Sequence, residues 1–280
     1  MSLGHDTIVT YGTKLPPSLG IFRRLEELLT KSDCDLDDII ELVQVDAALA
    51  FQVIKLSNSA LYGLKSRCES LEQAVARVGF GDIHQLVGLA VTRQTFQREL
   101  DQYDLAAGRL WENSIATGTL MGALARRAGA DESVAYATGL LRNIGTVILN
   151  NYPGAQHYPG VVAQSDVHAW EQSVHGISAP EVSAVLLDHW RFSPEMIQAV
   201  RHHLVPEQGG ELAVGAARLH LACALTAEWG CALPGEGRGW RMDEAMCHLA
   251  QVSPDDLAGL AQEARAKFNR CALIEWSNAA

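Results

Sequence analysis

The sequence predicts an all-α protein made of two helical lobes, the second of them a helical bundle. Apolar residues recur at helical rather than alternating spacing along almost the whole chain, which is the pattern of amphipathic helices. Proline is scarce, with nine residues in 280, so long helices go uninterrupted. With 48% hydrophobic residues, the chain can bury one large core or two moderate ones.

Five helices are predicted in the first third of the chain. Apolar stripes alone predict the first three, over residues 19–29, 37–45 and 47–56. Ser70 and Gln73 form a capping box at the start of a short helix, and Gly79 ends it. We expect Asp82 to cap the helix that follows.

A polar stretch over residues 98–104 separates these helices from a second helical series, so we place the boundary between the lobes at residues 104 and 105. One helix is expected to start after Asp131, to continue through Ile148 and to end before Pro153. Two Ser-Pro pairs, at 193–194 and 253–254, mark further helix starts. The segments 206–210 and 235–239 are predicted to be loops.

The predicted organisation is a leader over residues 1–14, an N-terminal lobe over 15–104, an HD-like bundle over 105–210 and a helical extension over 211–280 that packs on the bundle. The first six residues look like a cloning remnant joined to a fragment. We therefore expect that a domain upstream of Thr7, a receiver or a sensor, is missing.

Charge and composition argue against several classes of partner. The net charge is −11, which repels a phosphate backbone and argues against nucleic-acid binding. We find neither an apolar run near the roughly 20 residues needed to span a bilayer nor a signal-peptide pattern, so we expect no membrane association. Six scattered cysteines without a C-x-x-C pair indicate reduced thiols in the cytoplasm and no structural zinc.

Two sets of motifs identify a family. The first set is Asn58-Ser59-Ala60-Leu61-Tyr62-Gly63 and then Ser70 to Ala74; the second is 110–114, 139–145, 190–194 and 201–203. In order and spacing they resemble the HDOD family, the regulatory relatives of HD and HD-GYP phosphohydrolases, over about residues 15 to 205. The resemblance implies an all-helical bacterial domain, usually without a working metal site, that is commonly the output domain of a response regulator in a two-component system.

The stretch Gly139 to Gly145 lies where hydrolytic relatives have G-L-L-H-D-I-G, whose His and Asp bind a divalent cation. Those two positions hold Arg142 and Asn143 here. A guanidinium is always protonated and has no lone pair to donate, so Arg142 would repel the metal. Asn143 keeps the shape of aspartate but loses its charge.

The resemblance also carries over the other ligand positions. The first histidine falls on Asn113, a later one on Ala179, and the closing aspartate near Cys223, so that only His202 and His203 survive. Two imidazoles are fewer than the three or four ligands that a catalytic metal normally needs. We therefore assign no catalytic residue, no metal and no cofactor, and expect a pseudoenzyme.

Several polar residues have a structural interpretation. Asn58, with Ser59, Tyr62 and Gly63, is expected to anchor the end of a helix by pairing with backbone groups. For His202 and His203 a packed pair is favoured over a remnant site.

Two other groupings are expected to be ordinary polar residues. His168, Glu171 and His175 share a helix face and could bind a metal, but a solvated polar face is favoured. Asp188 and His189 are interpreted as the polar end of a helix.

Three functions remain open. The favoured one is a non-catalytic signalling output module that binds a partner protein in a signalling pathway. The second is a sensor of a small anion or nucleotide, in which Arg142 binds the anion in the old metal cavity. The third is a divergent phosphohydrolase built from His202, His203 and carboxylates such as Asp188.

Overall fold

The computed structural model describes residues 3–59, 62, 67–153, 157–160, 166–236 and 239–276. Within these ranges the fold is all-α, as predicted. The helices are α1 (His5–Gly12), α2 (Ser18–Leu29), α3 (Leu36–Gln44), α4 (Ala47–Ser57), α5 (Leu71–Val78), α6 (Phe80–Phe96), α7 (Arg109–Arg127), α8 (Glu132–Leu141), α9 (Ile144–Asn150), α10 (Val167–His175), α11 (Ala179–His189), α12 (Pro194–His202), α13 (Ala213–Glu228), α14 (Glu244–Ala250) and α15 (Pro254–Trp276).

The chain divides into two compact units. The larger unit comprises Met1–Lys14 and Phe96–Arg265, and the smaller unit comprises Leu15–Thr95 and Ala266–Ala280. Helix α15 therefore contributes its first part to the larger unit and its last turns to the smaller one. The domain limits expected at residues 15, 105 and 211 stay predictions.

The smaller unit contains α2 to α6, and local sequence sets where several of these helices begin. Asp35 and Asp38 form a capping box at α3, Asp46 caps α4, and Ser70 caps α5. The three helices predicted from apolar stripes are confirmed to within one residue at each end. Their apolar faces form the core, with Phe22, Leu25, Ile39, Val43, Leu49 and Val53 fully buried or nearly so.

Asn58 ties the end of α4 to the segment that precedes α5. Its Nδ2 donates to the carbonyls of Ile54 and Cys68, both at 2.8 Å, and its Oδ1 accepts from the Cys68 amide at 2.6 Å. One side chain thus pairs both backbone groups of Cys68, which lies outside the helices. It also gives a second donor to the Ile54 carbonyl of α4, which accepts from the Asn58 amide at 3.3 Å. Ser59 donates to the Leu56 carbonyl at 2.6 Å.

Tyr62 and Gly63 complete the motif in the sequence. Burial raises the pKa of Tyr62, so its hydroxyl stays neutral. Gly63 lies outside the described residues.

The prediction that Asp82 caps α6 is wrong, because the helix starts at Phe80 and Gly79 holds the cap position, three residues earlier. The Gly79 carbonyl accepts from the Ile83 amide at 3.1 Å, so the first helical hydrogen bond already starts at Gly79. Gly79 has φ +77°, a conformation that turns the chain directly from α5 into α6 and that other residues rarely adopt. Asp82 lies in the first turn, where its negative charge still favours the helix.

In the larger unit, α7 and α8 pack closely where a glycine of one helix faces a glycine of the other. A Cβ atom added at Gly139 of α8 would lie 2.6 Å from the Cα of Gly118 of α7. No side chain fits in that space, so the two backbones meet directly. The crossing brings the C-terminal end of α8 against the buried middle of α7.

The single helix predicted from Asp131 to before Pro153 is wrong, because it is interrupted at Arg142 and Asn143 between α8 and α9. Ser183 of α11 explains the break. Its hydroxyl donates to the Arg142 carbonyl at 2.7 Å and accepts from the Gly145 amide at 2.8 Å, replacing helical backbone bonds. A Cβ at Gly145 would lie 2.1 Å from the Ala179 carbonyl, so only glycine lets α9 approach α11 this closely.

Two further segments differ from expectation. The predicted loop at 206–210 is a 3-10 helix over Pro206–Leu212, which begins at the fixed φ of a proline. Residues expected to be a leader form α1, with Leu3 and Ile8 only 4% and 1% exposed. Among the described residues, none of the helices combines the length and apolar character that crossing a bilayer requires.

We predict that Asn58→Ala destabilises the smaller unit by about 1 to 3 kcal/mol, because the amide and carbonyl of Cys68 lose their partner. Thermal and denaturant unfolding of the purified protein would measure this. Ser59→Ala, which removes a single bond, serves as the matched control and should cost less. A variant that unfolds like the parent but loses partner binding would contradict the structural role of Asn58.

Candidate functional site

Four positions that the resemblance aligns with metal ligands of hydrolytic relatives meet in the larger unit. Asn113 comes from α7, Arg142 and Asn143 from the break between α8 and α9, and His203 from the end of α12. Their exposed fractions are 1%, 2%, 3% and 0%. Together with Glu236, which the sequence did not single out, we call them the Arg142 cluster.

The centre of the cluster is a buried ion pair between Arg142 and Glu236. Nη1 of Arg142 donates to Oε1 of Glu236 at 3.1 Å, and Nη2 donates to Oε2 at 2.9 Å. This two-pronged geometry is the strongest that an arginine makes with a carboxylate. Glu236 is 7% exposed, and it follows Gly235, whose φ of +79° bends the loop inwards. Two buried charges therefore neutralise each other.

Asn113 joins the remaining members of the cluster. Its Oδ1 accepts from Nη2 of Arg142 and from Nδ2 of Asn143, both at 2.8 Å. Its Nδ2 donates to the Cys231 carbonyl at 2.8 Å, which fixes the loop that leads to Glu236. Each end of the amide is thus used, and its orientation is set by its partners.

The electrostatics of the cluster favour an ionised Glu236 and a neutral His203. Burial alone would raise the pKa of Glu236, but Arg142 outweighs this and holds that pKa below its ordinary value. Burial, and then the charge of Arg142, lower the pKa of His203 to about 3. His203 Nδ1 lies 2.7 Å from the Val200 carbonyl and must carry the proton of that bond.

His202 and His203 are adjacent in the sequence but differ in burial and in their contacts. His203 is buried and stacks on Trp240, with ring centroids 5.9 Å apart. His202 is partly exposed, and burial together with the neighbouring Arg201 lowers its pKa. Among the described contacts, no hydrogen bond joins His202 to the Arg142 cluster.

A second buried group, on α10, corrects the sequence prediction of a solvated polar face. Glu171 and His175 are 1% and 2% exposed. The Glu171 carboxylate accepts from the Tyr103 hydroxyl at 2.9 Å, from the Ala179 amide at 2.7 Å and pairs with His168 Nδ1 at 2.9 Å. The buried carboxylate is satisfied by His168 on α10 itself and by Tyr103 and Ala179 from other parts of the chain.

His168 links this group to the Arg142 cluster. Its Nδ1 contacts Glu171, and its Nε2 lies 4.0 Å from Oε1 of Glu236. Burial alone would lower the pKa of His168, but Glu171 raises it above its ordinary value. A continuous line of polar groups therefore runs from Glu171 through His168 and Glu236 to Arg142.

Two more carried-over positions lie beside these groups. Cys223 of α13 is 3% exposed, and burial raises its pKa to about 12, so it remains a neutral thiol within electrostatic range of Arg142. Ala179 starts α11 and donates its amide to Glu171. Ala179 has no metal-binding group in its side chain, and the neutral thiol of Cys223 lacks the thiolate that binds metals. Asp188 and His189 lie in the last turn of α11, the polar helix end that was expected.

The sequence does not single out Glu236, and it suggests a solvated helix face for Glu171, which is buried. Glu236 lies in a glycine-rich loop 94 residues after Arg142, and nothing local distinguishes it. The one available indication was Arg142 itself, because a permanent cation in an apolar helix end requires an acidic partner. For Glu171 the indication was its spacing from the apolar Val167, which places both on one helix face.

The donor set does not fit a divalent cation. Arg142 occupies the position of a ligand with a positive charge, and both carboxylate oxygens of Glu236 already accept from it. Within the described part of the chain, no group of three or more His, Cys, Asp and Glu side chains could hold a metal ion. We derive no chemical step through a metal.

Comparison with known proteins identifies the fold family. The family model of the HDOD domain matches residues 15–206, more than half of the chain. The chain belongs to the HDOD family. The match includes the Asn58 motif and every position of the Arg142 cluster except Glu236. The counter-charge of Arg142 thus comes from outside the matched HDOD segment.

Individual relatives are distant. An uncharacterised protein of Treponema pallidum (strain Nichols) is 28% identical over 189 residues, which are 65% of this chain and 36% of that protein. The chain therefore spans about a third of that relative's length.

Solved structures share the HDOD fold at low identity. An HDOD domain protein with unknown function from Geobacter sulfurreducens is 19% identical, with a TM-score of 0.72, covering 92% of this chain and 91% of that one. A Shewanella amazonensis SB2B protein, provisionally named a phosphohydrolase, is 23% identical, with a TM-score of 0.68 and 93% of both chains covered. A Marinobacter aquaeolei VT8 protein, provisionally named a signal transduction protein, is 23% identical, with a TM-score of 0.71 over 98% of this chain and 61% of that one.

We predict that Arg142→Met and Glu236→Leu each destabilise the protein by about 3 to 5 kcal/mol, because each leaves one buried charge unpaired. The double variant should cost less than either single one, since it removes both charges. Chemical denaturation of the four proteins would measure the coupling. The exposed pair of Arg127 and Asp256 is the matched control, and Arg127→Met should cost less than about 1 kcal/mol. Additive effects at 142 and 236 would show that the ion pair is not the main contact of Arg142.

We predict a pH-dependent loss of stability from His203. Its pKa is about 3 when folded and about 6.5 when unfolded, so its contribution is present above pH 6.5 and is lost as pH falls. Between pH 7.5 and 5.5 the parent should lose about 1.4 kcal/mol more than His203→Gln does. Unfolding curves at the two pH values would measure the difference. An equal loss in both proteins would mean that His203 is protonated in the folded state.

Proposed function

We propose that this HDOD protein is a non-catalytic signalling module that acts by binding a partner protein. The observation that carries the proposal is the buried ion pair between Arg142 and Glu236 at the position of the lost metal centre. The pair makes this position a structural link between α8 and the loop before α14. In this proposal the helical bundle presents a surface and performs no chemistry.

Support for the loss of catalysis comes from how each cluster member is engaged. Arg142 donates to Glu236 and Asn113, and the Asn113 amide is used at both ends. His203 uses its Nδ1 on the Val200 carbonyl and has its pKa lowered to about 3. A neutral imidazole with so low a pKa is a poor general base at neutral pH.

Support for protein binding comes from the surface of the smaller unit and from the HDOD family. Val45 and Phe51, at the end of α3 and on α4, are 75% and 62% exposed. Aromatic side chains are enriched at protein interfaces. The exposure of the apolar Phe51 ring to water is unfavourable, and a bound partner would bury it. The Marinobacter aquaeolei relative carries the provisional name of a signal transduction protein. We place the module in cytoplasmic two-component signalling in a bacterium, downstream of a receiver or sensor domain.

Two other functions are less well supported. A sensor of small anions would bind them at Arg142, but Glu236 already fills that role, and an anion would first have to displace it. A divergent phosphohydrolase would need His202 and His203 to act together. His202 is partly exposed while His203 is buried, and among the described contacts no hydrogen bond or ion pair joins the two imidazoles or brings Asp188 to them.

We predict that the purified protein does not hydrolyse cyclic dinucleotides, nucleotides or generic phosphodiesters with magnesium, manganese, iron or nickel added. Metal content after purification should be far below one ion per chain, because the ligand set is too small. Elemental analysis and product chromatography would measure both. Turnover that His202→Ala abolishes would contradict the proposal, whereas turnover that survives it would point to a contaminant.

Partner binding can be tested separately, in the source bacterium. A photo-crosslinking residue in place of Phe51 should trap one defined protein, and Phe51→Ser should break the signalling response that depends on it. Glu41→Gln, on the neighbouring helix α3, is the matched exposed control. A response that survives Phe51→Ser would exclude this surface as the interface.

A further inference from the structure

A pocket with a volume of about 430 Å³ lies in the larger unit, apart from the Arg142 cluster. Helices α7, α8, α12 and α13 form its walls. The lining is mostly apolar and includes Met121, Ala125, Val134, Met196, Ala199 and Val214. None of the cluster residues lines it.

The size of the pocket indicates a small molecule as its occupant. Ligand pockets for small molecules have volumes of roughly 300 to 1,000 Å³ and are lined mainly by apolar side chains with a few polar groups. A pocket of about 430 Å³ is within this range and exceeds what one aliphatic anchor residue of a partner would fill.

Three carboxylates at the pocket determine the charge of the ligand. Asp131, Glu195 and Glu211 belong to the lining and are all exposed. Asp131 accepts from the amides of Ser133 and Val134, which leaves its charge in place. Among the described residues, none of the three carboxylates has a basic partner within 4 Å. Their charges therefore repel anions and attract cations.

Arg218 is the basic residue of the lining, and it offsets one of the three negative charges. Its Nε donates to the Ala250 carbonyl at 3.0 Å, and its Nη2 donates to Oε1 of Gln251 at 3.3 Å. Both acceptors are neutral, so the positive charge of Arg218 remains. The charged side chains of the lining therefore keep a net negative charge, which still favours a cation over an anion.

We propose that this pocket binds a small amphipathic cation, an amine with an aliphatic or aromatic body. The apolar body occupies the space between Met121 and Met196, and the ammonium group remains at the rim near Glu195 and Glu211. Burial of the body supplies the affinity, and the carboxylates select the charge. The inference goes beyond the proposed function and does not depend on it.

The pocket shares three helices with the Arg142 cluster. Helix α7 contributes Met121 to the pocket and Asn113 to the cluster. Helix α8 contributes Thr138 to the pocket, and Arg142 follows its last residue. Helix α12 contributes Met196, and His203 follows its last residue. An occupant therefore contacts the helices that position the buried charges. This arrangement gives the bound amine a physical route to the rest of the bundle.

Hexylamine, hexanol and hexanoate are suitable probes, because they share one apolar body and differ in charge. Titration would be followed by NMR of protein labelled with ¹³C at the methionine methyl groups. Hexylammonium should shift the Met121 and Met196 signals and leave Met246, a buried residue outside the lining, unchanged. Hexanol should bind more weakly and hexanoate most weakly, and added salt should reduce only the difference between hexylammonium and hexanol.

Two kinds of variant distinguish the contribution of the carboxylates from that of the apolar space in the pocket. Glu195→Gln and Glu211→Gln should each weaken hexylammonium binding about two- to fivefold, as expected for one exposed charge interaction, without changing hexanol binding. Glu244→Gln, exposed on α14 and outside the lining, is the control. Ala135→Leu, which fills the pocket, should abolish binding of all three probes, and Ala128→Leu, exposed and outside the lining, should not.

The outcomes are distinct. Equal binding of hexylammonium and hexanoate, unchanged by Glu195→Gln and Glu211→Gln, would overturn the assignment of a cation. Shifts of Met246 alone, or no saturable shift of Met121 and Met196 with any probe, would overturn the site itself. The exposed Glu→Gln variants keep the test valid if Ala135→Leu does not fold.

Discussion

The burial of the Arg142 guanidinium is the constraint on which the site depends. A charge at 2% exposure is sustained only by an opposite charge with good geometry, and Glu236 supplies it through two parallel bonds. To reach Arg142, the loop after Cys231 must fold back into the bundle, and Asn113 holds the start of that loop. Burial, together with the same positive charge, lowers the pKa of His203 and keeps its imidazole neutral.

The backbone around Arg142 is shaped by close packing rather than by helix propensity. Gly139 lets α8 meet α7 without an intervening side chain, and Gly145 lets α9 touch the start of α11. Between these two contacts the helix breaks, and the Ser183 hydroxyl satisfies the groups on both sides. At this break, Arg142 and Asn143 both donate to Asn113. The close packing that interrupts the helix therefore also positions the residues of the cluster.

The fold could be predicted from the sequence because its determinants are local. Apolar stripes and capping residues such as Ser70 and Asp131 lie within a few positions of the helix ends that they specify. The break after Leu141 could not be predicted, since it depends on Ser183, which is more than 40 positions away. The lost ligand positions could be found by resemblance to the HDOD family, whereas Glu236 and the partners of Glu171 come from distant parts of the chain. Long-range pairing is what a single sequence does not display.

The ion pair between Arg142 and Glu236 has an evolutionary consequence. Replacing Arg142 by histidine would leave Glu236 without its cation in the protein interior. A change at position 142 alone therefore passes through a less stable protein. Selection on stability disfavours such an intermediate, so we expect positions 142 and 236 to change together rather than one after the other.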